Sequence, residues 1–452
     1  MQLERLVGAL SPPAVVGRTP VEIRDLAYDT RDVRPGALFF CVPGATVDGH
    51  DLAADAVERG AVALVVERRV AAAVPQLVVP SVRAAMPRAA LEFFGHPSQE
   101  LDVIAVTGTS GKTTTVFLLD AILEAAGRRP ALLSSIERRV GDSVLAPTLN
   151  TPEAIDLQRL FREMLEAGNE TCAMEATSIA SSKGRLDGTR FAVLLFTNLS
   201  QDHLDFHGTM DDYFDAKRRL FGQAERAVIN VGDDYGRRLA AELPHAVTFT
   251  GDDPLDAQLR LRGRFNRENA LGAAASARAL GIAEDAIREG LESVGGVPGR
   301  FESLDEGQDF DVIVDYSHKP GALATVLREA RALADGRVIC VFGAGGDRDR
   351  DKRPLMGRFA AELADEVIVT SDNPRSEDPA AIAAEVVADL PLPVELDRRA
   401  AIERALDLAR PGDVVVIAGK GAESGQEFAD RTVPFDDREV TREALRRLRS
   451  AA

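Results

Sequence analysis
The chain has 452 residues, which sets a prior of about three domains, and its 45% hydrophobic content can fill several cores. Lys and Arg number 54 against 72 Asp and Glu, a formal net charge of −18. That balance argues against general binding to nucleic acid or an acidic membrane, because both reward clustered Lys and Arg.

No run of about 18 apolar residues occurs, and the M-Q-L-E-R start lacks a signal-peptide apolar core, so a soluble cytoplasmic protein is expected. Cys41, Cys172 and Cys340 each sit in an apolar, strand-like run. Buried thiols are expected there rather than a disulfide or a metal set.

Residues 1–98 read as a first α/β unit. Leu38 to Val42 and Ala63 to Val66 are strand-like, with a helix over 51–59 between them, and His96-Pro97-Ser98 reads as a linker. Asp29-Thr30-Arg31 stands before a Pro-Gly turn. By itself this is a solvated turn; the same residue types can also hydrogen-bond a polar ligand such as a nucleotide-sugar.

Residues 99–297 read as a central doubly wound unit, alternating strands with helices as a mostly parallel sheet requires. The apolar run Val103 to Val106 breaks into Thr107-Gly108-Thr109-Ser110-Gly111-Lys112-Thr113-Thr114 and then an amphipathic helix. Strand, glycine loop and helix form a phosphate cradle: glycines admit the phosphates to the backbone N–H groups, Lys112 reaches the terminal phosphates, and Thr113 offers a hydroxyl to Mg²⁺. The loop is a short variant, G-x-x-G-K-T-T, and an ordinary glycine turn with a solvated lysine is the alternative.

Further along, Asn150-Thr151-Pro152-Glu153 opens a helix, with Pro152 near its first turn. Glu175 ends the strand Thr171 to Glu175, where ligands collect in open α/β sheets; it reads either as a surface carboxylate or as a ligand for a hard cation. The strand Phe191 to Thr197 runs into N-L-S-Q-D-H-L-D-F-H-G, where His203 stands either as a second metal ligand or in a satisfied polar turn. Lys217 follows on a helix and is electrostatically odd beside a metal unless neutralised or modified. Asn266 and Asn269 share a helix face, suited to a purine edge or to capping.

Residues 298–452 read as a third unit, Rossmann-like but without its own phosphate loop. Strands over 312–314, 338–342, 366–370 and 414–418 each end in a polar cluster: Asp315 to Pro320, Gly343 to Asp349, Ser371 to Arg375 and Gly419 to Glu423. In one parallel sheet these four clusters converge on one edge.

With these segments together, the chain resembles the Mur ligases, ATP-dependent amide-forming enzymes of peptidoglycan precursor synthesis. T-G-T-S-G-K-T-T resembles the family's phosphate loop, N-L-S-Q-D-H-L-D-F-H-G and Y-F-D-A-K its metal and modified-lysine segments, G-R-F-N-R-E-N-A its adenine segment and D-Y-S-H-K-P its ribose segment. V-P-G-R-F-E and G-G-D-R-D complete the set. The most similar branch adds the third residue to UDP-N-acetylmuramoyl-L-alanyl-D-glutamate, and Asp372-Asn373-Pro374-Arg375 is similar to the form associated with meso-diaminopimelate. A guanidinium at Arg375 can hold the distal carboxylate, which lysine lacks.

The resemblance implies roles by position. Gly108 to Thr114 would hold ATP phosphates, with Thr113, Glu175, His203 and a carbamylated Lys217 around Mg²⁺. Lys112, His203 and Lys217 would carry catalysis, and Asn266, Asn269, Arg300, Asp315 and His318 would surround the nucleotide. Thr30 and Arg31 would meet the uridine diphosphate, so that residues 1–98 bind the UDP-sugar. Asn150, Thr151, Ser178 and Arg185 would contact the muramoyl peptide. Asp372, Asn373, Arg375, Gly421 and Glu423 would hold the amino acid, and a monomer is expected.

Three segments depart from the family pattern: Ile179 and Ala422 replace histidines, and Asn150 opens N-T-P where T-T-P is usual. All three lie in substrate-facing loops. The alternatives are a related ligase adding lysine or using another acceptor, a nucleotide-driven switch, and a non-catalytic binding protein.

Overall fold
The computed structural model describes residues 1–18, 20–44 and 46–451. The chain divides into two compact units: Met1–Gln258 with Glu268–Ser293, and Leu259–Arg267 with Val294–Ala452.

The first unit holds two sheets. Its N-terminal sheet has five strands in the order Ala14–Val16, Gln76–Val78, Ala61–Val66, Ala37–Phe40, Asp25–Ala27. All neighbours are parallel except the Ala14–Val16 edge. Every residue of Ala37–Phe40 is buried, as a strand covered on both faces requires. Leu3–Leu10 and Val82–Phe94 contribute to the core on one face; Ala53 and Ala56 of Ala53–Glu58 belong to the other. Ser81 caps Val82–Phe94 by accepting from the Ala84 N–H, and Gly95 ends it at φ +73°. Residues 97–99 form a short 3₁₀ turn where a linker was expected.

The second sheet has eight strands in the order Val247–Phe249, Ala227–Asn230, Val193–Phe196, Asp102–Thr107, Thr171–Glu175, Pro130–Leu133, Arg138–Val140, Ser143–Leu145. The first six are parallel, so their C-terminal ends share an edge. The last two form an antiparallel hairpin not expected from sequence. Pro152 lies just before Glu153, the N-cap of Ala154–Glu166, and so stands near the first turn of that helix.

The second unit carries a five-stranded sheet in the order Glu302–Ser303, Asp311–Asp315, Val414–Ala418, Val338–Phe342, Glu366–Val369. Four strands are parallel and only Glu302–Ser303 runs against them. The architecture is α/β throughout. All three cysteines are buried free thiols, and burial pushes their pKa values up. Among the described residues no helix is long and apolar enough to cross a membrane.

Candidate active site
The strand Asp102–Thr107 stops at Gly108, and the helix Lys112–Ala125 begins four residues later. Gly108 has φ +146°, and a Cβ there would stand 1.9 Å from the Thr197 hydroxyl; Gly111 has φ +85°, and its Cβ would stand 2.2 Å from the Asn269 amide oxygen. Both positions need glycine on two counts. The neighbouring strand end holds the loop in shape. The Thr109 N–H donates to the Asn198 carbonyl at 2.9 Å, the Ser110 N–H to Asn198 Oδ1 at 3.0 Å and the Thr197 hydroxyl to the Ser110 carbonyl at 2.7 Å. Lys112 folds back so that Nζ donates to the carbonyls of Gly108 and Thr109 at 3.1 and 2.9 Å. A lysine crossing a loop at a helix N-terminus leaves a concentrated positive field for phosphate.

At the start of that helix, Thr113 Oγ1 donates to Glu175 Oε1 at 2.9 Å, and the same oxygen accepts from the Ser135 N–H at 2.8 Å. The Ser135 hydroxyl lies 2.9 Å from Thr113 Oγ1. Glu175 is only 1% exposed, so the surface-carboxylate alternative fails. Hydroxyl and carboxylate oxygens side by side at a phosphate loop are the donor set that a hard divalent cation takes, completed by substrate phosphate, and Thr113 with Glu175 therefore fits Mg²⁺.

Lys217 sits on Met210–Arg218, capped by Thr209. Its Nζ is buried, donates to the Gly108 carbonyl at 2.8 Å and lies 4.5 Å from the Tyr213 ring centre. As an ammonium it is a donor only and offers a metal no lone pair. His203 is partly exposed, with Nε2 3.4 Å from Asp202 Oδ2. Among the described residues no three His, Cys, Asp or Glu side chains gather as a metal site.

The acceptor candidates of the first unit are spread along it. Thr151 is buried, and its hydroxyl donates to the Glu175 carbonyl at 2.9 Å. Arg185 Nη1 donates to the Thr151 carbonyl at 3.1 Å while Nη2 pairs with Glu153 at 2.7 Å. Ser178, also buried, lies 3.0 Å from His207 Nε2. Thr151, Ser178 and Arg185 thus collect beside the Glu175 strand end. Asn150 is exposed before them. Thr30 opens a 3₁₀ turn after Asp29, and Arg31 pairs with Asp29 at 2.5 Å.

In the second unit the expected convergence at the strand ends is found. Asp315 is buried and accepts from the N–H groups of Phe301 and Ser317 at 2.7 and 2.8 Å and from the Ser317 hydroxyl. Burial pushes its carboxyl up, against these donors and Arg300, which pull it down. The Arg300 guanidinium lies 4.4 Å over the Tyr316 ring. His318 packs edge-on against Tyr316 with ring centres 4.5 Å apart, and burial, with Lys319 and Lys352 adding to it, pushes the imidazole down to about 3.

Asn373 Nδ2 donates to Glu423 Oε2 at 2.8 Å. Arg375, at φ +51°, donates from Nη1 to the Gly346 carbonyl at 2.9 Å and pairs through Nε with Glu427 at 2.8 Å. Asp372 and Gly421 are buried beside them. On the helix Arg264–Leu280, Asn266 Nδ2 donates to the Arg262 carbonyl at 2.8 Å, within the second unit, while Asn269 stands against Gly111 in the first.

Residues 22–94 match the family described as Mur ligase family, catalytic domain; residues 106–254 match the Mur ligase middle domain and residues 299–421 the Mur ligase glutamate ligase domain. The chain belongs to the Mur ligase family. It is 44% identical to UDP-N-acetylmuramoyl-L-alanyl-D-glutamate--2,6-diaminopimelate ligase of Solibacter usitatus, over 94% of each chain. It is 41% identical to the protein of the same name from Geobacter metallireducens, over 100% of this chain and 99% of that one. A solved structure of a ligase of that name superposes with TM-score 0.66 at 30% identity, covering 96% of each chain. The MurF ligase of Thermotoga maritima in complex with ADP superposes with TM-score 0.62 at 20% identity, over 95% and 99%, a likeness of fold.

Several residues of this Mur ligase that shape the site escaped sequence reasoning. Ser135 follows the end of strand Pro130–Leu133, and the strand-end rule that picked out Glu175 would have found it; Asn198 opens the segment quoted after strand Val193–Phe196, but its hold on the glycine loop has no local signal. Glu427 pairs with Arg375 from 52 residues away, and no local signal announces that.

Proposed function
We propose that this Mur ligase joins meso-diaminopimelate to the D-glutamate side chain of UDP-N-acetylmuramoyl-L-alanyl-D-glutamate, with ATP as the activating substrate, acting as a monomer in the cytoplasm. The curated relatives carry that activity in their names over nearly the whole chain. Residues 1–98 bind the UDP-sugar, 99–297 bind ATP and 298–452 bind the amino acid.

A carboxylate is a poor electrophile until it is phosphorylated. The acceptor carboxylate takes the γ-phosphoryl of ATP, and the amine then displaces phosphate to form the amide. Lys112 and the N–H groups of Gly108 to Thr114 hold the phosphates and offset the charge that spreads over the transferring phosphoryl. Mg²⁺, held by Thr113 and Glu175 with His203 and a carbamylated Lys217, supplies further charge neutralisation when bound. Carbamylation removes the Lys217 cation and gives it oxygen donors. Asn266, Asn269, Arg300, Asp315 and His318 surround the nucleoside. Thr30 and Arg31 meet the uridine diphosphate; Asn150, Thr151, Ser178 and Arg185 receive the muramoyl peptide; Asp372, Asn373, Arg375, Gly421 and Glu423 receive the amino acid.

The observation that carries the choice of amino acid is Arg375. Its Nε and Nη1 are engaged, which leaves Nη2 without a hydrogen bond among the described residues. The Nη2 group of Arg375, two residues from Asn373, suits the second carboxylate of a zwitterion. ADP release with UDP-N-acetylmuramoyl-L-alanyl-D-glutamate is expected to depend on meso-diaminopimelate and to be at least about tenfold slower with L-lysine. Arg375→Ala should erase that preference. Equal turnover of both amino acids by the unmodified protein would transfer the assignment to a lysine-adding enzyme.

A further inference from the structure
Lys420 is the residue of the second unit whose placement the proposed chemistry leaves unexplained. It follows the strand Val414–Ala418 and is fully buried, with 0% exposure. Burying an ammonium is costly unless it is paired and hydrogen-bonded. Its Nζ donates to Asn373 Oδ1 at 2.8 Å and to Glu423 Oε2 at 3.2 Å. Asn373 closes the triangle by donating from Nδ2 to the same Glu423 oxygen at 2.8 Å.

The chemistry of the triangle fixes its orientation. An ammonium only donates, so whichever end of the Asn373 amide faces Lys420 must be the oxygen. A second donor agrees: the Glu427 N–H also reaches Asn373 Oδ1, at 3.0 Å. With both donors on Oδ1, Nδ2 is left to face Glu423. Glu423 in turn spans the buried base and the outside: its Oε2 is held from below by Lys420 and Asn373, while its side chain is 37% exposed. Gln426 secures the other loop by donating to the Ser371 hydroxyl and the Asp372 carbonyl at 2.6 and 2.7 Å.

We propose that Lys420 is a positioning residue for the amine-bearing substrate: from beneath the site it sets the Asn373 amide and aims the Glu423 carboxylate at the substrate's ammonium group. This rests on the reading of Asn373 and Glu423 as amino-acid contacts. Lys420 does not touch the substrate; it acts through both neighbours, for without it Asn373 Oδ1 keeps only the Glu427 N–H and Glu423 Oε2 loses its charged donor.

The test is Lys420→Met, which keeps the stem and removes the charge, measured by steady-state amide synthesis in the full-length protein. KM for meso-diaminopimelate is expected to rise about ten- to a hundredfold, the loss carried by a charge-assisted hydrogen bond. KM for ATP and for the nucleotide-sugar should stay within about twofold, as a purely structural defect would not allow. An equal rise in all three KM values, or none, overturns the proposal.

Where Lys420→Met leaves the buried side unpaired and the chain fails to fold, Lys420→Met with Glu423→Gln removes both charges. A lysine that works through Glu423 then adds little to the KM penalty of Glu423→Gln alone, whereas an additive penalty overturns the proposal. Loss of the fold in both variants assigns Lys420 to stability and overturns it too. Unmodified protein that makes no amide with diaminopimelate fails the parent reading, separately from Lys420.

Discussion

Thr113 Oγ1 donates to Glu175 Oε1 at 2.9 Å, joining the first turn of one helix to the end of a strand 62 residues further on. The pair sets two oxygens at the mouth of the phosphate loop, on the edge where six parallel strands end. Glu175 also accepts from the Ser135 N–H, so three chain segments meet at one carboxylate.

Glu175→Gln keeps the shape and removes the charge. Amide synthesis is expected to fall about 10²–10³-fold, with the Mg²⁺ concentration for half-maximal rate rising, because the charge lost is the one proposed to hold the cation. Circular dichroism and the melting temperature should change little, since Gln retains an acceptor for Thr113. Full activity at the original Mg²⁺ concentration would remove Glu175 from the metal set.

Gly108→Ala places a Cβ within 1.9 Å of the Thr197 hydroxyl at a backbone φ of +146°. Strain of about 1–3 kcal/mol is expected, released by shifting the loop away from the 197–200 segment. Nucleotide affinity, read by calorimetric titration, should fall with the melting temperature. Unchanged nucleotide affinity would show that the loop backbone does not set the phosphate site.

His318 makes stability depend on pH in a stated direction. Its folded pKa is pushed down to about 3, while an unfolded histidine titrates near 6.5, so below that value the unfolded chain binds the extra proton. The stability is fully present above about pH 6.5 and is lost as pH falls towards 3; at pH 5 the loss from this group is ~2 kcal/mol. Urea midpoints at pH 7.5 and 5 should therefore diverge more in the unmodified protein than in His318→Gln. Equal divergence in the two proteins would show that the imidazole is not the group responsible.

Arg398 and Asp437 form an ion pair with both side chains fully buried, through contacts of 2.6 and 2.7 Å. Arg398 also donates to the carbonyls of Ser371 and Ala418, the segments that lead into the Asp372 and Lys420 loops. Asp437→Asn is expected to cost about 3–5 kcal/mol by leaving a buried guanidinium unpaired. Chemical denaturation reads that directly, and a loss below about 1 kcal/mol would show that Arg398 finds another partner.

The sequence by itself determined the α/β class, the succession of strand, glycine loop and helix over 102–125 and the polar clusters at the strand ends. Those signals are local: an apolar run, a glycine spacing and a turn each lie within a dozen residues. It also determined that the three cysteines are buried, because each lies in a largely apolar run at or just beyond a strand.

Tertiary structure alone decided which residues meet. Thr113 finds Glu175, and Lys217 reaches the Gly108 carbonyl across 109 residues. Arg375 is engaged by Glu427, and Lys420 is drawn beneath Asn373 and Glu423. It also decided that residues 259–267 join the second unit while 268–293 join the first, since Phe265 packs edge-on against Phe301 at 5.2 Å and Arg262 pairs with Asp311 at 2.7 Å. Such pairings depend on strand order and loop path, which period and propensity do not encode, because each contact is chosen by the whole fold rather than by its neighbours in the chain.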